Sequence, residues 1–402
     1  MVCISVINLS SFGLGEEFAL NANVHSCMDT LKVTRKVLPV GQGMSTLESF
    51  QCYCAEDGGK SKSIKVMFDC GGNAISKVIG QNKEELKTID FLFLSHLDSD
   101  HINGLRILKA CNVRTIVMPF YNDKQNFLLG LCSNADDRKF FRNSDAWLKE
   151  RFGDSLQIIK VRPVGSNNNG ANNGNAEDIE KPGLTDIPSG NMLKWNTIWT
   201  FIPYHRPSCF DNDVDIRNIL SCYDNSDTMV QDLSDLRRLP KDIKDILKRK
   251  GQKERIKSVV NALSMIVFSG PYNISGTYSW NSLQPEGAHC SCDKVITNIS
   301  CLYCGDAFTD DVYDFSKLLG DKRLSLGLIQ IPHHGSVNSY NEKLYCVNPF
   351  CHHYFVNYGF TNLYGHPDAS ILEEMSRRGI HVHHVTEDPT SQLLQYLTIL
   401  IS

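Results

Sequence analysis

Residues 89–101 read Ile-Asp-Phe-Leu-Phe-Leu-Ser-His-Leu-Asp-Ser-Asp-His. The first six form a short, mostly apolar run of the kind expected from a strand buried on both faces. The segment after it sets four metal-ligand side chains, His96, Asp98, Asp100 and His101, within six residues. On a tight loop directly after a strand, alternate side chains can converge on one point. Asp-Ser-Asp alone is more often a solvated turn, but the two flanking histidines and Gly104 at a helix opening favour a metal centre.

Outward from this segment, strands and helices alternate as in layered α/β folds. Upstream, residues 31–40, the turn Gly41-Gln42-Gly43, residues 44–54 and residues 63–72 read as hairpin-connected strands broken by glycines. Residues 73–87 look helical. Downstream come a helix from His101 and a strand over 114–120, and after a long middle stretch in which 192–204 read as a strand, further strands over 261–268, 296–306, 327–336, 352–359 and 381–386, with helices at 311–320 and 369–379. Three strand ends carry chemistry: Gly305-Asp306, His333-His334-Gly335-Ser336 and Gly365-His366-Pro367. Each is weak alone, yet in α/β sheets the carboxyl ends of strands gather at one edge, where sites are built.

The chain has 402 residues, 41 Lys+Arg and 45 Asp+Glu, a net charge of -4 and 42% hydrophobic residues. It can bury a large core, and it is no uniformly basic nucleic-acid coat. No stretch reaches the ~18 apolar residues of a membrane span, and the N-terminal residues lack the charge and apolar pattern of a signal peptide. A cytoplasmic location with no membrane role is expected. The 15 cysteines have irregular spacing, as expected of reduced thiols. Positive charge concentrates at Arg237–Lys257, with ten Lys/Arg against three Asp/Glu. Pro240 near its start, Gly251 at its end and Ile243, Ile246 and Leu247 on one face predict an amphipathic helix with a basic outer face. That face is either solvated or a polyanion contact. Residues 166–176 (Ser-Asn-Asn-Asn-Gly-Ala-Asn-Asn-Gly-Asn-Ala) have the composition of a flexible loop.

In this order the motifs resemble the metallo-β-lactamase superfamily, with Asp69 as its strand-end Asp, followed by the His96–His101 loop, Gly305-Asp306 and a late histidine. The resemblance is nearest to the hydrolase domain of the ComEC/Rec2 competence proteins. It rests on Val40-Gly41-Gln42-Gly43, His96 to Leu105, Asn261 to Ser264, Gly305-Asp306, His333 to Ser336 and Tyr364 to Pro367. It runs from Leu31 to the C-terminus, apart from a stretch at about 122–258. It implies one αββα sandwich domain over 31–402 with an insertion between its halves, residues 1–30 being a leader packed on it.

The same resemblance implies metal-assisted hydrolysis with two divalent ions. Ligands would come from His96, Asp98, Asp100, His101 and Asp306, Asp306 bridging, with Asp100 also orienting the nucleophile. One of His333 and His334 would be a ligand and the other a phosphate contact, because neighbours on an extended segment point opposite ways. His366 would contact phosphate or act as general acid, or else only brace its loop. Two departures stand out: Asp98 replaces the usual second histidine of the loop, and no clear histidine fills the superfamily's third position, for which His205 is the nearby candidate. The oxygen-rich donor set leans toward Mn²⁺ or Mg²⁺, with Zn²⁺ also accommodated. The expected activity is that of a phosphodiesterase, a nuclease acting on DNA or RNA, with bacterial defence as a role suggested by family analogy. Hydrolysis of a small phosphoester or cyclic nucleotide, and a site gated by a protein partner, are the alternatives.

Other clusters read as structure. Cys301 and Cys304 lie on a strand, where positions three apart face opposite sides. Cys52-Tyr53-Cys54 and His289 to Cys292 lack a regular paired spacing, while Cys351 to His353 and His381 to His384 are strand residues.

Overall fold

A computed structural model describes residues 29–53, 61–133, 135–165, 176–207, 213–226, 231, 233, 235–253, 255–256, 263–272, 277–285, 294–295 and 299–401. The strands are β1 (Asp29–Val37), β2 (Thr46–Tyr53), β3 (Ser61–Phe68), β4 (Thr88–Phe93), β5 (Asn112–Pro119), β6 (Gln157–Arg162), β7 (Ala176–Asp178), β8 (Asp186–Pro188) and β9 (Met192–Trp195). They continue as β10 (Trp199–Tyr204), β11 (Ile266–Pro271), β12 (Thr277–Pro285), β13 (Lys294–Val295), β14 (Ser300–Tyr303), β15 (Leu326–Gln330), β16 (His353–Asn357), β17 (His381–Val385) and β18 (Leu393–Ile401). One sheet runs β13-β12-β18-β1-β2-β3-β4-β5-β6-β8 and the other β17-β16-β15-β14-β11-β10-β9-β7.

Three apolar cores define four layers. Between the sheets, Phe50, Phe68, Phe93, Trp195, Trp199, Phe201 and Phe355 interlock. The outer face of the first sheet packs under α1 (Ile75–Gln81), α2 (Ser99–Ile102), α3 (Leu105–Leu108), α4 (Asp123–Cys132), α5 (Ala135–Arg142), α6 (Ser144–Phe152), α7 (Val214–Asn225) and α8 (Lys241–Lys248), which supply Ile75, Leu105, Phe127, Trp147, Ile216 and Ile243 among others. The outer face of the second packs under α9 (Thr309–Leu318) and α10 (Ala369–Arg377) through Val312, Phe315, Ile371 and Met375. This is the αββα sandwich expected from the sequence, and β4 is buried on both faces as its composition requires.

Within each sheet a run of parallel strands sets the site. β3, β4, β5, β6 and β8 are parallel neighbours, as are β14, β15, β16 and β17. Their carboxyl ends collect Asp69, His96, Asp306 and His334. Residues 122–258 are woven into both sheets rather than appended: β6 and β8 extend the first, and β7, β9 and β10 the second.

Several local readings change. The basic helix α8 is shorter than its charge run. Pro240 caps it from outside, and it stops at Lys248 because Arg249 turns extended (φ -62°, ψ 135°). Ile243 and Ile246 are buried, as the spacing predicts. Residues 192–204 form two strands, separated by a turn in which Asn196 and Thr197 have positive φ. Of the predicted leader only Asp29 and Thr30 are described, as the start of β1, and of the loop 166–176 only Ala176; the rest lies outside the described residues, with Cys54, His289, Cys290 and Cys292. Cys301 and Cys304 are buried free thiols, and His353, His381, His383 and His384 are strand residues. Among the described residues no helix is long and apolar enough to cross a membrane.

Candidate metal centre

The loop after β4 is clamped from below by two glycine turns. The Met44 N–H donates to the Asp100 carbonyl (3.3 Å), Cys70 N–H to the His101 carbonyl (2.9 Å) and Gly104 N–H to the Cys70 carbonyl (2.7 Å). Gly43 (φ +136°) has to be glycine, because a Cβ there would sit 2.4 Å from the Asp100 carbonyl oxygen. So the Val40–Gly43 motif does its work at the backbone: it is the floor on which the ligand loop rests.

Three imidazoles are then fixed through one nitrogen each. His101 Nδ1 donates to Asp69 Oδ2 (2.8 Å), and Asp69 is itself held by the Ser95 N–H (2.7 Å) and hydroxyl (2.7 Å). His334 Nδ1 donates to the Asn357 carbonyl (2.8 Å). His96 Nδ1 faces the hydroxyls of Ser264 (2.9 Å) and Ser95 (3.0 Å). The Asp69 carboxylate and the Asn357 carbonyl can only accept, so they place the proton of His101 and His334 on Nδ1, and the hydroxyls at His96 accommodate the same tautomer, which is the arrangement metal-binding histidines require. In all three, Nε2 is buried with no hydrogen-bond partner among the described residues, and so is Asp306 Oδ1.

Those orphaned atoms converge. Asp306 Oδ2 lies 3.6 Å from His96 Nε2, while Oδ1 lies 3.3 Å from His101 Nε2 and 3.7 Å from His334 Nε2. His334 Nε2 is 3.4 Å from Asp100 Oδ2. Two groups could each hold an ion, His96/His101/Asp306 and Asp100/His101/His334. Asp306 reaches this point because Gly305 (φ +52°) brings its backbone against Ser95 and Ser264, where a Cβ would meet Ser95 Cβ at 2.6 Å. Its N–H donates to Ser264 Oγ (3.0 Å), so Ser264 sets both His96 and Asp306.

Electrostatics point the same way. Burial opposes ionisation of Asp306, but His333, His101 and His96 outweigh it and hold the carboxyl well below the usual range. Burial likewise opposes charge on His101, and Asp306, Asp69 and Asp100 override it, pushing the imidazole well above its usual value. His96 is pushed down, by burial and then by His101. Orphaned nitrogen and oxygen donors turned toward one another in a buried cluster suit a divalent cation.

The adjacent histidines do not lie on an extended segment. His333 (φ 48°) and His334 (φ 54°) are both left-handed, inside a short helical turn over Pro332–Gly335. The expectation of opposite directions therefore has the wrong geometric basis, although the two side chains do differ in burial. His334 is buried in the cluster. His333 is partly exposed on the cleft wall, its Nδ1 on Ser339 Oγ (2.8 Å) and its Nε2 3.6 Å from Asp306 Oδ2. His366 stands next to it, ring centroids 5.9 Å apart and planes inclined at 61°, and burial followed by His333 and His334 lowers its pKa.

Asp98 lines the same cleft, and its carboxylate accepts from the Ser99 N–H (2.8 Å) at the start of α2; neither ligand group takes it in. His205, directly after β10, carries the same signature as the clustered histidines. It is fully buried, its Nδ1 is on the Val161 carbonyl (3.0 Å), its Nε2 has no hydrogen-bond partner, and burial pushes its pKa down to about 4. Its ring meets Tyr121 edge-on at 5.9 Å. Burial and then the charges of Asp98 and Asp69 raise the Tyr121 pKa. The sequence signal for His205 was its nearness to the third position of the superfamily's motif order.

Residues 60–119, from β3 through β5 and including Asp69 and the His96–His101 loop, match the family model described as the metallo-beta-lactamase superfamily. The fold is of the metallo-β-lactamase type. Among solved structures, the chain is similar to a long-form RNase Z from yeast (TM-score 0.35, 10% identity), covering 81% of this chain and 36% of that one. It is also similar to a diphosphatase of the PhnP family (TM-score 0.34, 10% identity, 89% and 96%) and to the metallo-β-lactamase fold protein YhfI from Bacillus subtilis (TM-score 0.27, 9% identity, 79% and 94%). The chain thus spans 36% of the length of the yeast RNase Z. Comparison with curated protein sequences gives no match.

Around the histidine–aspartate cluster the surface opens as a cleft of about 920 Å³. Its walls include Asp98, Asp100, Asp306, His333, His366 and, from the basic segment, Arg255.

Proposed function

We propose that this protein is a divalent-metal-dependent hydrolase of phosphodiester bonds whose substrate is nucleic acid. One observation carries the reading: Nε2 of three buried histidines and Oδ1 of Asp306 lack partners and face one another, each histidine being pinned through its other nitrogen. In this reading His96, His101 and Asp306 would hold one ion and Asp100, His101 and His334 the other, with Asp98 on the cleft wall as a further carboxylate available to them. Bound there, Mn²⁺, Zn²⁺ or Mg²⁺ would supply Lewis-acid activation of water and of a phosphoryl oxygen.

The chain's own groups do the rest. Asp69, Ser95, Ser264 and Asn357 keep the imidazoles in the ligating tautomer. Asp100, between His334 and the open cleft, is positioned to accept a proton from the attacking water. His333 and His366 offer imidazole N–H groups to the non-bridging oxygens of a phosphodiester, and the lowered pKa of His366 suits a neutral donor rather than a proton reservoir. Arg255 adds a guanidinium on the same wall, held by Asp213 (2.6 Å). Lys248 and Lys250 lie exposed in the same basic segment, which supports a polyanionic strand over a small ester. The six motifs in ComEC-like order support the same reading.

The test is hydrolysis of single-stranded DNA, duplex DNA, RNA and a chromogenic phosphodiester with Mn²⁺, Mg²⁺ or Zn²⁺. Metal-dependent cleavage of a polymer is expected. Turnover of the small diester alone would move the substrate to small phosphoesters, and no turnover on any of them would contradict the reading.

A further inference from the structure

We propose that the loop after β16, residues 359–366, is a platform for an unpaired nucleobase, with Tyr364 as the stacking face; this rests on the phosphodiesterase reading of the same cleft. Three large apolar side chains of the loop stand in solvent: Leu363 is 99% exposed, Tyr364 72% and Phe360 66%. The backbone beneath them is firmly tied. Asn362 Nδ2 donates to the carbonyls of Gly359 and His366 (2.7 Å each), Asn362 Oδ1 accepts from the His366 N–H (3.1 Å), and the Phe360 N–H donates to the Glu387 carboxylate (3.0 Å). The loop is therefore fixed with its apolar groups outward. Exposed aromatic surface held in place costs solvation until a ligand covers it, and a fixed ring loses little entropy on stacking.

Its occupant follows from what it adjoins. Leu363, Tyr364 and His366 line the cleft that holds Asp100 and Asp306. The rings step outward from the metal-ligand cluster. His333 Nε2 is 3.6 Å from Asp306, His366 is 5.9 Å from His333, and Tyr364 lies 6.0 Å from His366 with the two ring planes within 12° of parallel. Imidazole N–H groups and the Arg255 guanidinium suit an anion, and a flat exposed phenol one ring further out suits an aromatic plane. A ligand with a phosphate and an aromatic plane about one ring apart is a nucleotide of a strand. Its base face is free for Tyr364 only when the base is unpaired, which selects single strands over duplex.

The experiment measures binding in EDTA, so that cleavage plays no part, by fluorescence anisotropy of a labelled single strand and of an abasic strand of equal length and charge. The wild type is expected to bind the base-bearing strand about tenfold more tightly, within the range of one base stacked on an aromatic ring. Tyr364→Ala should remove that preference and Tyr364→Phe should keep it. Phe350→Ala, which removes an aromatic side chain 68% exposed at the opposite end of β16, should also keep it. Equal binding of both strands by the wild type, no binding of either, a preference that survives Tyr364→Ala, or tighter binding of duplex would each overturn the platform. Base-dependent binding without metal-dependent cleavage would overturn the hydrolase reading and leave the platform standing. Cleavage without base preference would do the reverse.

Discussion

Two groups of buried polar side chains sit in this sandwich, and they are built on opposite plans. Midway between the sheets, Arg35 Nε donates to Glu48 Oε1 (2.5 Å), Tyr303 donates to the same oxygen (2.9 Å), Ser269 donates to Glu48 Oε2 (2.7 Å) and Trp199 donates to Ser269 (2.9 Å). Arg35 Nη1 meets Gln395, which leaves Nη2 as the one buried atom of this network without a partner. Burial opposes the Arg35 charge, but Glu48 outweighs it and the guanidinium pKa is raised. That network closes on itself. The histidine–aspartate cluster at the carboxyl ends of the strands is as deeply buried, yet four of its atoms are left facing a common point. Since an unpaired buried polar atom costs about 1–3 kcal/mol, convergent orphans mark a ligand's place, whereas mutual pairing marks a structural core.

The largest expected effect comes from breaking the open group. Asp100→Ala should remove essentially all hydrolysis, because the group beside His334 is lost with no change to the core. Full activity in a folded variant, checked by initial rates and circular dichroism, would sink the proposed chemistry. Breaking the closed group should act on stability instead. Glu48→Ala leaves Arg35 buried without its counter-charge and should destabilise by about 3–5 kcal/mol in denaturant unfolding. The fraction that stays folded should keep its metal stoichiometry; a loss of metal without a loss of stability would reverse the assignment of the two groups.

A smaller effect is expected at the support. Ser264→Ala removes the hydroxyl shared by His96 and the Asp306 N–H, and should weaken metal binding by about 10–100-fold in a chelator competition. An unchanged affinity would mean that packing alone sets His96. The smallest effect at neutral pH lies away from both groups. His383 on β17 is pushed down to about 4 by burial and then by His353, His381 and His384. The unfolded chain protonates this residue near the usual histidine value while the folded one stays neutral, so stability should fall as pH drops from about 6.5 to about 4. His383→Gln should lessen that fall by at most about 1.4 kcal/mol per pH unit; superimposable pH profiles of stability would refute the shift.

The open group was legible in the sequence to a degree the closed one was not, and chain distance explains why. His96 to His101 lie together, and Asp306, His334 and His366 each follow a recognisable strand, so the topology of parallel strands gathers them. Arg35, Glu48, Trp199, Ser269, Tyr303 and Gln395 come from six strands with no local mark, and their meeting depends on how two sheets face each other. His205 was visible only as the nearby candidate for the third motif position; the state of its Nε2, without a hydrogen-bond partner among the described residues, is a property of the packed fold. The histidine pair was misjudged in geometry because consecutive left-handed residues are rare for side chains of this size. The layers themselves followed from pattern, since alternating apolar strands and helices leave few ways to bury both faces of two sheets.

The central claim is that the orphaned atoms around Asp306 hold divalent metal, and metal content tests it most directly. After loading with Mn²⁺ or Zn²⁺ and exhaustive dialysis, elemental analysis should find close to two equivalents in the wild type. Asp306→Ala, which removes the carboxylate that faces all three Nε2 atoms, should lose both while remaining folded by circular dichroism. A wild type that retains no metal, or an Asp306→Ala variant that retains the full complement, would contradict the account.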